Sequence, residues 1–136
     1  PLAHWAKASR TATPESDELQ FQPLRSSAQL DEFLKTAGKP VILDFYADWC
    51  KSCKEMEGLT FTDPQVKRQM SQALLLRADV TANSAQDREL LRRFHLFGPP
   101  GILFFDAQGR EIETARVVGY SNARDFSVVL RSVGLQ

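Results

Sequence analysis

The feature that most restricts the fold of this chain is a pair of cysteines directly after a continuous apolar segment. Residues 41–47 read VILDFYA, and Asp48 and Trp49 separate this segment from Cys50 and Cys53. A run that is apolar throughout, rather than alternating, is typical of a central strand covered on both faces. We therefore predict a buried strand over residues 41–47 and a helix that begins near Cys50.

Helix and strand signals alternate along the rest of the chain. Strands are predicted over residues 21–24, 74–80, 102–105 and 112–118, the last two as a hairpin. Capping residues and a proline predict further helix starts at Ser26-Ser27, Asp63-Pro64, Asn83-Ser84 and Ser121-Asn122. This order predicts an α/β fold, in which a central mixed sheet has parallel strands, an antiparallel edge and helices on both faces.

Length, composition and charge fit one soluble domain. The chain has 136 residues, of which 43% are hydrophobic, so it can form a stable core without disulfide staples. Lys and Arg number 17, as do Asp and Glu, and this zero net charge argues against a nucleic-acid-binding or polybasic membrane-surface protein. No apolar run approaches the roughly 20 residues that span a bilayer.

The first 20 residues differ from the remainder of the chain. They are rich in Ala, Ser, Thr and charged residues and have no sustained hydrophobic period. We predict that residues 1–20 are a largely unstructured linker or tether and that residues 21–136 form the folded domain. Because the chain begins at Pro1 rather than Met, we expect it to be part of a longer protein.

The placement of the cysteine pair favours redox chemistry. The N–H groups in the first turn of a helix are unpaired and carry the positive end of the helix dipole. A thiolate at Cys50 would be stabilised there, and the thiolate is the form that attacks disulfides. Cys53 lies one turn later on the same side of the helix, so it can close a disulfide with Cys50.

Two other interpretations of the pair are weaker. A purely structural disulfide would restrain the unfolded chain little, because the loop it closes is so short. A zinc site normally needs four ligands, and the sequence has no second cysteine pair. His4 lies in the predicted tether and His95 belongs to no spaced motif, so we expect no metal site.

The sequence around the cysteines resembles the thioredoxin superfamily. The resemblance rests on residues 49–54 (WCKSCK), on the strand before them and on Pro100 before the strand 102–105. It covers about residues 21–136 and implies a thioredoxin-like three-layer sandwich. A wider set of residues is more specifically similar to the C-terminal periplasmic domains of the DsbD family of thiol:disulfide interchange proteins: residues 41–50, Glu55, Glu57, residues 60–66 and residues 79–83.

This resemblance implies a function and its partners. In the DsbD family, this domain accepts electrons from a cysteine pair in the transmembrane domain of the same full-length protein. It then reduces the N-terminal periplasmic domain, which supplies other periplasmic thiol proteins. The resemblance therefore implies a protein-disulfide reductase, located in the periplasm as a domain of an inner-membrane protein that serves cytochrome c biogenesis. No cofactor is implied, because the thiols carry the electrons; we expect a monomer without a nucleic-acid partner.

The resemblance also implies catalytic roles for four residues. Cys50 would attack the partner disulfide, and Cys53 would resolve the mixed disulfide. Asp44 would be a buried acid beneath the pair, with a pKa raised toward neutrality, that exchanges a proton with the resolving thiol. Glu57 would join Asp44 near the thiols and, with it, raise the pKa of the attacking thiol. The alternatives are an exposed or salt-bridged Asp44 and a solvated Glu57.

Three further residues are predicted to bind the partner polypeptide. Pro100 would form a cis peptide bond that faces the cysteines, and the alternative is a trans surface turn. Pro99, which lacks an N–H group, and Gly101, where the family commonly has Thr, depart from the family pattern. Trp49 would pack over the disulfide and shape the docking surface, or else belong to the core. Phe97 is expected to flank the docking groove.

Two other functions remain open from sequence. One is a disulfide oxidase or isomerase on the same fold, which the reduction potential would separate from a reductase. The other is a non-catalytic thioredoxin-like binding module or metal chaperone.

Overall fold

The computed structural model describes residues 18–136. Residues 1–17, which include His4 and most of the predicted linker, lie outside the described part of the chain. Residues 18–20 belong to no helix or strand.

In the described part of the chain, five strands form one mixed sheet in the order β1-β3-β2-β4-β5. Their bounds are Phe21–Pro23 for β1, Val41–Tyr46 for β2, Leu74–Asp79 for β3, Gly101–Phe105 for β4 and Val117–Val118 for β5. Strands β1, β3 and β2 run parallel, whereas β4 is antiparallel to both β2 and β5. The predicted α/β class and mixed sheet are thus confirmed.

Residues 18–136 contain five α-helices, of which four lie between strands and the last follows β5, and each begins close to its predicted cap. They are α1 (Ser27–Thr36), α2 (Lys51–Glu55), α3 (Pro64–Met70), α4 (Ala85–Arg93) and α5 (Ala123–Ser132), and a π-helical turn (Met56–Thr60) extends α2. In each helix the side chain of the N-cap residue accepts a first-turn N–H; the caps are Ser26, Cys50, Asp63, Ser84 and Asn122. Within residues 18–136, no helix has the length and apolarity that a bilayer crossing requires.

The predicted strand over residues 112–118 is wrong in its extent. Phe105 and Glu111 form an isolated bridge, a 3-10 turn (Glu113–Ala115) interrupts the hairpin, and only the two residues of β5 pair with β4. Arg116 explains the interruption, because its guanidinium donates to both carboxylate oxygens of Glu111 and to the Phe94 carbonyl oxygen. The chain must bend to let one side chain reach both partners.

The core has two parts, one on each face of the sheet. All six residues of β2 are buried, and β2 contributes to both parts because successive side chains of a strand point to opposite faces. Leu43 belongs to one part and Ile42 to the other. One part packs against α1 and α4 and includes Leu30, Leu43, Phe45, Leu90 and Phe94. The other packs against α3 and α5 and includes Ile42, Val66, Met70, Phe104 and Phe126. Two helical layers therefore hold β2 and the segment that follows it in a fixed position.

Candidate active site

The cysteine pair lies where β2 ends and α2 begins. Cys50 and Cys53 form a disulfide, with their Cα atoms 5.3 Å apart. Cys50 is the N-cap of α2, and its Sγ accepts the backbone N–H of Cys53 at 3.1 Å. The Sγ of Cys53 lies 4.0 Å from the carbonyl oxygen of Phe45 in β2. The predicted strand, cysteine pair and helix start are therefore found together.

This geometry favours a negative charge on the Cys50 sulfur once the disulfide is reduced. The Cys53 N–H and the other first-turn N–H groups of α2 favour negative charge on the Cys50 sulfur, which promotes the thiolate form. Cys50 is 6% exposed and Cys53 is 3% exposed, so both residues are largely covered. Cys50 is thus only slightly more exposed than Cys53 in the oxidised protein.

Asp44 is a buried carboxylate in the middle of the sheet. It is 5% exposed, and its Oδ2 accepts hydrogen bonds from Arg77 Nη2 at 3.0 Å and from Arg77 Nε at 3.2 Å. Burial raises the pKa of Asp44 to about 7, although the Arg77 guanidinium pulls in the opposite direction. The sequence predicts a buried acid and a salt-bridged acid as alternatives for Asp44. The structure shows that Asp44 is both buried and salt-bridged.

Arg77 joins Asp44 to Glu57. Its Nη1 lies 2.6 Å from Glu57 Oε2, and the guanidinium stacks 4.4 Å from the Phe21 ring centroid and 4.7 Å from that of Tyr46. Glu57 is therefore held in an ion pair and is not a freely solvated helix residue. The two predicted acids meet through a residue that sequence reasoning missed.

A signal for Arg77 was present in the sequence. Residues 74–80 read LLLRADV, so an arginine interrupts a predicted apolar strand in the same way that Asp44 interrupts residues 41–47. In the sheet, Asp44 and Arg77 are directly opposite each other on β2 and β3. Two opposite charges in neighbouring buried strands are best explained as a pair, because an unpaired buried charge is costly.

Trp49 lies on the surface next to the cysteine pair. It is 63% exposed, so the alternative that placed it in the core is wrong. Its Nε1 donates to the Thr81 carbonyl oxygen at 3.2 Å, and the Thr81 hydroxyl accepts the backbone N–H of Asp48 at 2.8 Å. These bonds fasten the segment before Cys50 to the loop between β3 and α4. The predicted packing of Trp49 over the disulfide remains a prediction.

The Pro99–Pro100 peptide bond is cis, as predicted from sequence. Pro100 is buried, and β4 begins at the next residue, Gly101, which pairs with Phe45 of β2. Because the carbonyl oxygen of Phe45 is the contact of Cys53, the cis bond and the cysteine pair occupy the same end of the sheet. The role of Pro99 and Pro100 in partner binding stays a prediction.

The departure from the family pattern at Gly101 has a local explanation. A Cβ atom added at this position would lie 3.0 Å from Cδ1 of Leu96. The Leu96 side chain therefore occupies the space that a threonine side chain would need. Substituting a larger residue would force Leu96 to move.

Among residues 18–136, no group of three or more His, Cys, Asp or Glu side chains is arranged to hold a metal ion.

Comparison with known proteins gives matches at the levels of family, sequence and structure. A family model described as a thioredoxin-like domain matches residues 28–134. The thiol:disulfide interchange protein DsbD of Ralstonia nicotianae is 52% identical over 134 residues, which is 96% of this chain and 22% of the relative. The DsbD protein of Yersinia pestis is 50% identical over 127 residues, which is 93% of this chain and 21% of the relative. The chain thus spans about a fifth of the length of these curated relatives.

Solved structures extend these matches to the fold. The crystal structure of the Neisseria meningitidis DsbD C-terminal domain in the oxidised form is 35% identical with a TM-score of 0.71, covering 82% of this chain and 99% of that one. The same domain in the reduced form gives a TM-score of 0.70. A thioredoxin from Thermus thermophilus, 22% identical with a TM-score of 0.65, covers 85% of this chain and 88% of its own and shares the fold.

Proposed function

Because the chain belongs to the thioredoxin-like domain family, as a relative of the DsbD C-terminal domains, we propose that it is a protein-disulfide reductase that works by thiol:disulfide interchange. The observation that carries this proposal is the Cys50–Cys53 disulfide at the N-terminus of α2, where the Cys53 N–H donates to the Cys50 sulfur. A helix start is the environment that stabilises an attacking thiolate.

The reaction consists of two exchanges of sulfur–sulfur bonds. In the reduced domain, the Cys50 thiolate attacks one sulfur of a partner disulfide, so that a Cys50–partner bond forms and the partner's own bond breaks. The sulfur that leaves takes up a proton. Cys53 then loses its proton and attacks Cys50 Sγ, which closes the Cys50–Cys53 disulfide and releases the second partner sulfur as a thiolate. The partner gains two electrons, and the domain loses two.

Asp44 and Glu57 are proposed to control the protons in this cycle. Asp44 would accept the proton that Cys53 loses, since its pKa of about 7 suits proton transfer near neutral pH. Glu57 would act together with Asp44 through Arg77, which contacts both carboxylates. Negative charge near the thiols would keep them protonated until a partner docks.

The partners are proposed from the DsbD relatives. The domain would be reduced by a cysteine pair in the transmembrane domain of the same full-length protein, and it would in turn reduce the N-terminal periplasmic domain. In this proposal the domain would lie in the periplasm as part of an inner-membrane protein. The chain spans about a fifth of the length of these relatives. This share supports the proposal, because the remaining length is enough for those other domains.

The reduction potential of the Cys50–Cys53 pair tests the direction of the reaction. We expect a value clearly more reducing than the roughly −180 mV of protein disulfide isomerase. Equilibration with defined dithiothreitol or glutathione buffers, followed by alkylation and mass measurement, gives this potential. Reduction of insulin by the same protein is the parallel activity assay. A potential near the roughly −120 mV of DsbA would support an oxidase and contradict the proposal.

The pKa of the Cys50 thiol tests the roles of the two acids. We expect Glu57→Gln and Asp44→Asn each to lower this pKa by about one unit or less, because each removes a negative charge near the thiolate. The rate of alkylation by iodoacetamide, measured as a function of pH, reports the thiol pKa. Glu55→Gln is the matched control, since Glu55 lies on the same helix outside the Arg77 ion pairs. Unchanged pKa values in both acid variants would remove Asp44 and Glu57 from the site.

A further inference from the structure

A groove lies beside the loop that leads to the cis peptide bond. It has a volume of about 460 Å³, and Leu91, Leu96 and Phe97 provide its apolar surface. Phe97 is 108% exposed, so the ring has no cover from the described residues. Together with Leu91 and Leu96, the Phe97 ring gives the groove a continuous apolar surface, and such surfaces mark sites that bind another polypeptide.

The rim of this groove is cationic. Its charge comes from Arg88 and Arg92, which line it together with the uncharged Asn83 and with His95, and the described lining residues include no acid. We call the surface formed by Arg88, Leu91, Arg92, His95, Leu96 and Phe97 the α4 groove.

The two arginines of the α4 groove are not neutralised by carboxylates of the described chain. Nη1 of Arg88 donates to the Asn83 carbonyl oxygen at 2.6 Å, and Arg88 forms no ion pair with a carboxylate of residues 18–136. Arg92 makes no ion pair within residues 18–136, although Glu89 lies only three residues before it. By contrast, the neighbouring Arg93 is paired with Asp31 at 2.7 Å.

The spacing of these arginines strengthens the argument. Arg88 and Arg92 are four residues apart on one helix, so they are neighbours on its surface and repel each other. An acidic partner would relieve this repulsion.

The α4 groove borders both segments that are proposed to dock a partner. Asn83, at one edge, belongs to the loop whose Thr81 carbonyl oxygen accepts the Trp49 side chain. Phe97, at the other edge, precedes the cis Pro99–Pro100 bond. A polypeptide whose disulfide is bound to Cys50 can therefore continue across this groove.

We propose that the α4 groove selects protein disulfides that are flanked by acidic and apolar residues. The inference rests on the proposed function, whose substrate class it defines. An apolar side chain of the partner would lie against Leu96 and Phe97, and neighbouring carboxylates would pair with Arg88 and Arg92. Complementary charge would act mainly on the association rate and would weaken as salt increases.

Two synthetic peptides test this selection. Each carries one intramolecular disulfide followed by the same leucine-containing segment, in which three charged positions are either glutamate or lysine. We expect the reduced protein to react with the glutamate peptide at least fivefold faster in low salt, and we expect 0.5 M NaCl to remove most of this difference. Equal rates for the two peptides in low salt would overturn the proposal.

Matched charge variants locate the effect. Arg92→Glu is expected to abolish or reverse the preference, whereas Arg124→Glu makes the same charge change on α5, which packs against the other face of the sheet. Phe97→Ser should lower the rates of reaction with both peptides to a similar extent. A preference that Arg92→Glu and Arg124→Glu change equally would show a general charge effect and overturn the assignment to the groove.

Reduction of a small uncharged disulfide, bis(2-hydroxyethyl) disulfide, separates this inference from the proposed function. The wild-type protein should reduce it at a rate that 0.5 M NaCl changes little, because it carries no charge and is too small to span the groove. If the wild-type protein reduces neither the peptides nor the small disulfide, the proposed function itself is contradicted.

Discussion

Replacing Cys50 with serine is expected to lower the rate constant for reduction of a protein disulfide by about 10³-fold or more. A serine hydroxyl is not ionised near neutral pH and does not attack sulfur, so the first bond exchange cannot begin. The measurement is insulin reduction with dithiothreitol as the electron source, corrected for the rate without protein. A Cys50→Ser variant as active as the wild type would contradict the assignment of the nucleophile.

Replacement of Cys53 should stop the reaction at a later step than replacement of Cys50. Cys53→Ser keeps the attacking thiol and the helix start that stabilises it, so the variant should react once and then stop as a mixed disulfide. Ser52→Ala is the matched control, because it changes the neighbouring position of α2 without removing a sulfur. This control should turn over at close to the wild-type rate.

The second large effect concerns stability and pH. In the oxidised protein, we expect the free energy of unfolding to fall as pH rises from about 4 to about 8, through the contribution of Asp44. The carboxyl has a pKa of about 7 in the folded protein against 3.8 in its ordinary state, so between these values only the folded protein retains the proton. When the folded state binds more protons, its stability decreases with rising pH. The full difference corresponds to about 4 kcal/mol.

Urea unfolding of the oxidised wild type and of Asp44→Asn at several pH values measures this contribution. The asparagine keeps an oxygen that can accept from Arg77 but does not titrate, so the variant should lack the Asp44 slope. Because the disulfide is intact, the thiols do not contribute. Asp48→Asn is the control at an exposed position and should retain the wild-type slope. Parallel pH profiles for the wild type and Asp44→Asn would show that Asp44 titrates normally.

Local signals in the sequence predicted the elements of the fold well. Ser26, Asp63 and Asn122 cap helices where expected, because a polar side chain that accepts a first-turn N–H acts within three residues. The continuous apolar run over residues 41–47 correctly predicted a strand buried on both faces. The interrupted hairpin was not predictable in this way, since Arg116 reaches the Phe94 carbonyl oxygen, 22 residues away in the chain.

The same difference between local signals and contacts distant in sequence applies to the site. Cys50 and Cys53 are close in sequence, so their spacing alone predicted that they could bond. The link between Asp44 and Glu57 depends on Arg77, which is 33 residues from Asp44 and faces it only because β3 lies beside β2. Likewise, the exposure of Trp49 follows from how the loop at Thr81 holds it, which no local pattern records.

Identification of the bond that joins the domain to a partner is the most direct test of the two-step exchange. The reduced Cys53→Ser variant is mixed with a disulfide-containing partner peptide, quenched with acid, and analysed by intact-mass and peptide mass spectrometry. We predict one covalent adduct, linked through the sulfur of Cys50, and no comparable adduct for Cys50→Ser. Capture of the peptide by Cys53 in the Cys50→Ser variant at an equal rate, or the lack of any adduct in Cys53→Ser, would contradict the account.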